Sequence, residues 1–227
     1  MIKYRAQTGF KIDVGFVVTA LNVVEAADLT NSILTDLPAG LYRSLDFKTV
    51  SAVVGSVFCD ALASRTKGKG IVNPIEKGHP DIIPSAGAKA TEEQLRNYPK
   101  GLEIKCTVGN IEQGANLRAG EQRVDRLTGI TWQAHHREVK ELMGLVWDFV
   151  QMKDKFRFPG ITAVFYASDL RREDWGEISG TTGRNTKVTG MRTSGKQKMG
   201  AGWVMLIDDE KYFKTYPHVL GFALARR

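Results

Sequence analysis

Residues 102–107 read LEIKCT, and this short stretch decides how the middle of the chain folds. Polar and apolar side chains alternate along it, as they do in a strand with one buried face. Glu103 and Lys105 then share one face, about 6.6 Å apart along the strand at roughly 3.3 Å per residue. The opposite face is apolar and holds Leu102, Ile104 and Cys106. The pattern therefore predicts a strand that presents an acid and a base side by side.

A proline and an aspartate precede this strand, with a variable stretch between. The order Pro80, Asp81, then Glu103, Ile104, Lys105 resembles the signature of the PD...(D/E)XK nuclease superfamily, most often met in type II restriction endonucleases. The resemblance implies that Asp81 and Glu103 bind Mg²⁺, with Mn²⁺ as a substitute, helped by the backbone carbonyl of Ile104. It also implies that Lys105 positions and deprotonates the attacking water.

The residue types suit that chemistry. Mg²⁺ prefers carboxylate, carbonyl and water oxygens, so one or two carboxylates with retained waters can hold it. The ion lowers the pKa of its bound water and offsets charge that develops on the phosphate. Lys105 would act as a base only if its surroundings disfavoured its charged form. Otherwise it would act as a point charge, and the sequence leaves both roles open.

The same residues also have a purely structural interpretation. Glu103 and Lys105 could form an exposed pair on an edge strand, and Asp81 could be a turn residue after proline. Asp60, on a predicted helix before the motif, is a weaker candidate for a further metal ligand. Glu25 and Glu76 compete with it for that role, and a solvated carboxylate is its alternative.

Composition sets the outer limits. The chain has 227 residues, of which 42% are hydrophobic, so one domain over 1–227 is the simplest organisation. A net charge of +7 indicates an anionic partner. Cys59 and Cys106 lie in apolar segments without CxxC spacing, which predicts buried thiols in a reducing cytoplasm. With no signal core and no run of about 18 apolar residues, we expect no membrane segment.

Basic residues are concentrated late in the chain. Residues 178–207 contain no Asp or Glu, and 178–202 are rich in Gly and Thr. Such a segment suits a phosphate backbone, although a solvated hairpin has the same composition. The predicted DNA contacts are Arg184, Asn185, Lys187, Arg192, Lys196 and Lys198. Arg118 and Arg123, in the polar loop 109–129, are further candidates, with a plain solvated loop as the alternative.

Apolar periodicity predicts helices over 13–28, 46–64, 91–97 and 131–151. Strands are predicted at Asp81 and over 102–107, 161–167 and 203–207. The order favours an α/β (α+β) domain, with a mixed central sheet flanked by helices and a restriction-endonuclease-like core. His135 and His136 are adjacent and point about 100° apart on a helix, which argues against chelation of one ion. A hydrogen-bonded interface histidine is favoured for His135, with DNA contact as the alternative.

These features together lead to three hypotheses. The first is a Mg²⁺-dependent endodeoxyribonuclease that cuts double-stranded DNA at a short specific sequence, as a type II restriction enzyme. Cutting both strands of a palindrome would favour a homodimer. The second is a structure-specific repair or recombination nuclease with the same chemistry. The third is a DNA-binding protein whose motif is inactive or accidental.

Overall fold

The structure, a computed structural model, describes residues 2–76, 78–109, 131–133, 140–153, 156–178 and 188–220. Its strands are β1 Tyr4–Ala6, β2 Lys11–Asp13, β3 Val17–Thr19, β4 Gly70–Val72, β5 Ile82–Pro84, β6 Glu103–Val108, β7 Thr131–Gln133, β8 Leu142–Lys153, β9 Phe156–Ala167, β10 Val188–Gly190 and β11 Trp203–Ile207. Its α-helices are α1 Ala20–Asp36, α2 Ala39–Ser44, α3 Phe47–Ser64, α4 Glu92–Arg96, α5 Thr193–Ala201 and α6 Glu210–Leu220. Short 3₁₀ turns cover Ser85–Lys89 and Arg172–Asp174.

The central sheet has five strands in the order β1-β11-β9-β8-β6. Its neighbours are antiparallel except for β6 and β8, which run parallel from Glu103 opposite Leu142 to Val108 opposite Trp147. Two-stranded ladders join β2 to β3, β4 to β5, and β7 to β10. The sheet is therefore mixed, as predicted, and β6 is one of its edges.

Helices pack on both faces of this sheet, which confirms the predicted layers. Along β8 successive side chains alternate between two apolar clusters, as the pleat requires. Met143, Leu145 and Trp147 join the cluster that α1 and α3 complete. Leu142 and Val146 join the other, which includes residues of α5 and α6.

The helix predicted over 46–64 is confirmed as α3. The Asp46 side chain accepts a 2.8 Å hydrogen bond from the backbone N–H of Thr49 and so caps the first turn. Val50, Val54 and Phe58 follow at helical spacing and are fully buried. Within the described residues, only α3 is long and apolar enough to cross a membrane, and here its apolar stripe belongs to the core.

The helix predicted over 13–28 is partly wrong. Residues 11–19 form the β2–β3 hairpin, in which Gly15 has φ of 93°. The helix begins at Ala20 because Thr19 and Asn22 form a capping box there. Val14, Val17 and Val18, which matched a helical stripe, belong to the hairpin instead.

The helix predicted over 131–151 is wrong. Thr131–Gln133 and Leu142–Lys153 are strands, and residues 134–139, with His135 and His136, lie outside the described residues. Residues 142–150 are buried on both faces, which is typical of a central strand rather than an amphipathic helix. The strands predicted over 102–107, 161–167 and 203–207 are confirmed, as is the short helix within 91–97.

Candidate active site

The site is formed where β5 meets the start of β6. Ile82 and Leu102 exchange two backbone hydrogen bonds, of 3.1 Å and 2.8 Å. Gly101 permits this approach, because its φ is 145° and a Cβ there would lie 2.3 Å from the Ile82 carbonyl oxygen. Residue 101 must therefore be glycine for the two strands to pair in this register.

Asp81, the residue before β5, is directed at β6. Its Oδ2 accepts a 2.7 Å hydrogen bond from the backbone N–H of Ile104. The N–H and the carbonyl of one strand residue leave the strand at the same edge, as they do in the Ile82–Leu102 pair. The Ile104 carbonyl is therefore on the same edge as Asp81, which is where a shared cation would need it.

Glu103 is buried and contacted at both carboxylate oxygens. Its side chain is only 2% exposed. Lys105 Nζ lies 3.0 Å from Oε1, and His79 Nδ1 lies 3.4 Å from Oε2. The hydrogen bond to Glu103 raises the pKa of His79 above its ordinary value, against the opposing effect of burial. The predicted acid and base thus contact each other, and a histidine completes the cluster.

Electrostatics at Asp81 indicate a place for positive charge. Burial, and then the negative charge of Glu103, raise the pKa of Asp81 from 3.8 to about 6. Lys105, the Ile104 N–H and His79 oppose this shift. A divalent cation beside the two carboxylates would relieve the same repulsion.

The donor set fits a hard cation. Asp81, Glu103 and the Ile104 carbonyl supply oxygens, the ligands that Mg²⁺ prefers, and waters commonly complete its octahedron. Across the residues that the structure describes, no three His, Cys, Asp or Glu side chains gather into a ready-made metal cluster. Oxygen donors of this kind suit Mg²⁺ better than zinc, whose structural sites use nitrogen and sulfur ligands.

The acidic cluster lies between two cavities. Asp81, Ile104 and Lys105 line one of about 840 Å³, together with residues of α3 and of the segment after β4. Glu103 and His79 line a second, of about 710 Å³, together with residues 97–101. The two carboxylates of the cluster thus line different cavities.

Other candidates from the sequence are placed elsewhere. Asp60 is exposed on α3 and does not line the cavity of Asp81. Glu25 pairs with Arg65 at 3.2 Å, whereas Glu76 does line that cavity. Cys59 and Cys106 are free thiols in its wall, and burial raises the pKa of both, which favours inert thiols.

The basic segment is only partly within the described residues. Arg184, Asn185, Lys187, Arg118 and Arg123 lie outside them. Arg192 is exposed at the start of α5, and Lys196 is half-buried on that helix.

Lys198 makes internal contacts. Its Nζ lies 2.8 Å from Oδ2 of the buried Asp174, and it donates a 2.7 Å hydrogen bond to the Asp169 carbonyl. Because the Lys198 ammonium is bound by groups of the protein itself, the predicted DNA contact at Lys198 loses support.

Two further residues, His79 and Asn73, shape the site but were not predicted from the sequence. His79 directly precedes the Pro80–Asp81 pair, and this proximity is the clue that could have found it. Asn73 is buried, and its side-chain amide donates to the carbonyls of Pro80 and Leu95 at 3.1 Å and 2.9 Å. Its backbone N–H donates to the Asp81 carbonyl at 2.8 Å. Asn73 therefore fixes the backbone of Pro80 and Asp81 by hydrogen bonds.

Comparison of the chain with models of protein families, with curated proteins and with solved structures finds no match.

Proposed function

We propose that this chain is a Mg²⁺-dependent endodeoxyribonuclease with a restriction-endonuclease-like core. The observation that carries the proposal is the convergence of Asp81, Glu103 and Lys105, from two separate segments, at one edge of the sheet. If a Glu-x-Lys triplet and a Pro-Asp pair met by chance, we would not expect the Asp81–Ile104 hydrogen bond, nor Asp81, Ile104 and Lys105 in one cavity wall.

Each residue has a distinct proposed role. Asp81 and Glu103 hold the cation, with the Ile104 carbonyl as a third protein ligand. A bound Mg²⁺ would supply a water of lowered pKa and would neutralise charge on the phosphate. Lys105 lies beside Glu103 and faces the cavity of Asp81, where its ammonium can orient the attacking water and stabilise the phosphate. We therefore favour the electrostatic role for Lys105 over the role of base.

The proposed substrate is double-stranded DNA cut at a short specific sequence, as by a type II restriction enzyme. The net charge of +7 supports a polyanionic partner. A homodimer would place two such sites on the two strands of a palindrome. The free thiols fit the reducing cytoplasm. Light scattering with size-exclusion chromatography, with and without duplex, tests the dimer.

Plasmid cleavage with Mg²⁺ or with EDTA tests the function. We expect cleavage only with Mg²⁺, and a loss of at least about 100-fold in Asp81→Ala, Glu103→Gln and Lys105→Ala. As controls, Asp36→Ala removes an exposed negative charge and Lys69→Ala an exposed positive charge, both outside the cavity. Both variants should cleave like the wild type. Unchanged cleavage by the three site variants would refute the assignment.

The products distinguish the three hypotheses. Discrete fragments from linear duplex support a restriction enzyme, and sequencing of their ends would give the recognition site. Selective cutting of flaps or junctions supports a structure-specific repair or recombination nuclease. Tight duplex binding without product under Mg²⁺ and Mn²⁺ would instead indicate a non-catalytic DNA-binding protein.

A further inference from the structure

The carboxylate of Glu103 is fixed from two directions. Lys105 contacts Oε1 at 3.0 Å, from two residues along the same strand, and His79 contacts Oε2 at 3.4 Å, from the segment before β5. A glutamate side chain has three rotatable bonds, and its last torsion is broad. A contact at one oxygen leaves rotation about that torsion, whereas contacts at both oxygens restrict it.

His79 is itself held in place. Its backbone carbonyl accepts a 2.7 Å hydrogen bond from the Tyr98 N–H. The imidazole is about one-third exposed and lines the second cavity, away from the cavity that Asp81 and Lys105 share. It therefore contacts Glu103 from the second cavity, whereas Asp81 and Lys105 line the first.

We propose that His79 is a positioning residue, whose Nδ1–H holds Glu103 in the orientation that receives the divalent cation. This inference rests on the proposed function, because it takes Glu103 as a metal ligand. Groups that hydrogen-bond to metal ligands commonly change metal affinity or activity by about 10- to 100-fold when they are removed. His79 would act through Glu103 and would not touch the substrate.

The test compares variants that keep or lose a hydrogen-bond donor at the position of His79 Nδ1. In His79→Asn the amide nitrogen occupies the position of Nδ1, so the contact with Glu103 can be retained. His79→Leu has nearly the same shape as asparagine but no donor, and His79→Gln carries its nitrogen too far along the side chain. Lys100→Ala changes an exposed residue that lines the same cavity and serves as the control.

Mn²⁺ binding to each protein is measured without DNA, from the electron paramagnetic resonance signal of free Mn²⁺. Thermal melting in EDTA shows that each variant folds. We expect His79→Leu and His79→Gln to bind Mn²⁺ about 10- to 100-fold more weakly, and His79→Asn to stay within a few fold of the wild type. Cleavage by the Leu and Gln variants should need more Mg²⁺, with KM for DNA unchanged.

The inference and the proposed function fail in different ways. If folded Leu or Gln variants bind Mn²⁺ like the wild type, or if Asn is as weak as they are, His79 does not position Glu103. A wild type that binds no Mn²⁺ overturns the inference as well. If the binding series behaves as expected but no protein cleaves DNA, the positioning role stands and the nuclease proposal fails.

Discussion

The carboxylate of Asp81 and the backbone of Ile104 are joined by a 2.7 Å hydrogen bond between residues 23 positions apart. Glu103 and Lys105 flank Ile104 on β6, so this one bond places Asp81 beside both. The bond depends on the register of β5 against β6, which the Ile82–Leu102 pair sets. Strand register and site geometry are therefore coupled, and changes to either should be visible in the other.

Asp81→Asn should stabilise the protein at neutral pH in EDTA. The folded state raises the pKa of Asp81 from 3.8 to about 6, so it binds more protons than the unfolded state in that window. The free energy of unfolding of the wild type therefore falls as the pH rises through the window. Asparagine can still accept the Ile104 N–H but carries no charge, so we expect the free energy of unfolding at pH 7 to rise by a figure on the order of 3 kcal/mol.

Urea denaturation at several pH values checks this prediction. The difference in free energy of unfolding between the wild type and Asp81→Asn should disappear below pH 3.8, where Asp81 is protonated in both the folded and the unfolded state. Asp36→Asn, which removes an exposed carboxylate outside the site, is the control. Added Mg²⁺ should stabilise the wild type but not Asp81→Asn. An Asn variant that is less stable at pH 7 would contradict the electrostatic account.

Gly101→Ala should disturb fold and site together. The new Cβ would meet the Ile82 carbonyl oxygen at 2.3 Å, and φ of 145° is rarely adopted by other residues. Strain of this kind costs about 1–3 kcal/mol, before any shift of β5. Chemical denaturation measures the loss, and Gly9→Ala is a control because its Cβ would meet nothing within 4 Å. Equal stability of both variants would show that the close approach is not needed.

Local patterns predicted the site strand well. The alternation in LEIKCT identified β6, and the apolar periodicity of residues 46–64 identified α3. Both patterns reflect interactions within a few residues, which sequence periodicity reports directly. That Asp81 lies near Glu103 and Ile104 could be expected only through the resemblance, because a contact over 23 residues leaves no local trace.

The helix predicted over 131–151 was wrong for a physical reason. Residues 142–150 contain apolar side chains at helical spacing, but β8 lies inside the sheet and is buried on both faces, so nearly every position is apolar. Helical and strand patterns then cannot be separated by periodicity. The DNA contact predicted at Lys198 from composition stays a prediction, but Asp169 and Asp174, which lie outside the basic segment, bind its ammonium.

Lys198→Met should lower the melting temperature by a few degrees and leave DNA affinity unchanged. Burial alone would raise the pKa of Asp174, but hydrogen bonds from Lys198, Ser194 and the Arg171 N–H outweigh it and lower the pKa. Without the ammonium, Asp174 would be a buried charge short of a partner. The destabilisation should persist at neutral pH and fade only in acid, as Asp174 takes up a proton.

Calorimetry and DNA binding at several salt concentrations check this assignment. Arg192→Ala, at an exposed residue of the same segment, is the comparison. If Lys198 touched phosphate, its loss would reduce the slope of log affinity against log salt by about 1. A reduced slope with an unchanged melting temperature would restore the predicted DNA contact.

Asn73→Ala should weaken both stability and cleavage. It removes the amide that donates to the carbonyls of Pro80 and Leu95, next to Asp81 and within the fold. Leaving such buried acceptors without their donor costs about 1–3 kcal/mol. The segment that carries Asp81 would also lose one of its anchors, so cleavage at a temperature where the variant is folded should fall. Asn97→Ala, at an exposed asparagine that lines the second cavity, should be near wild type in both assays. If Asn73→Ala lost stability but cleaved normally, Asn73 would support the fold without positioning Asp81.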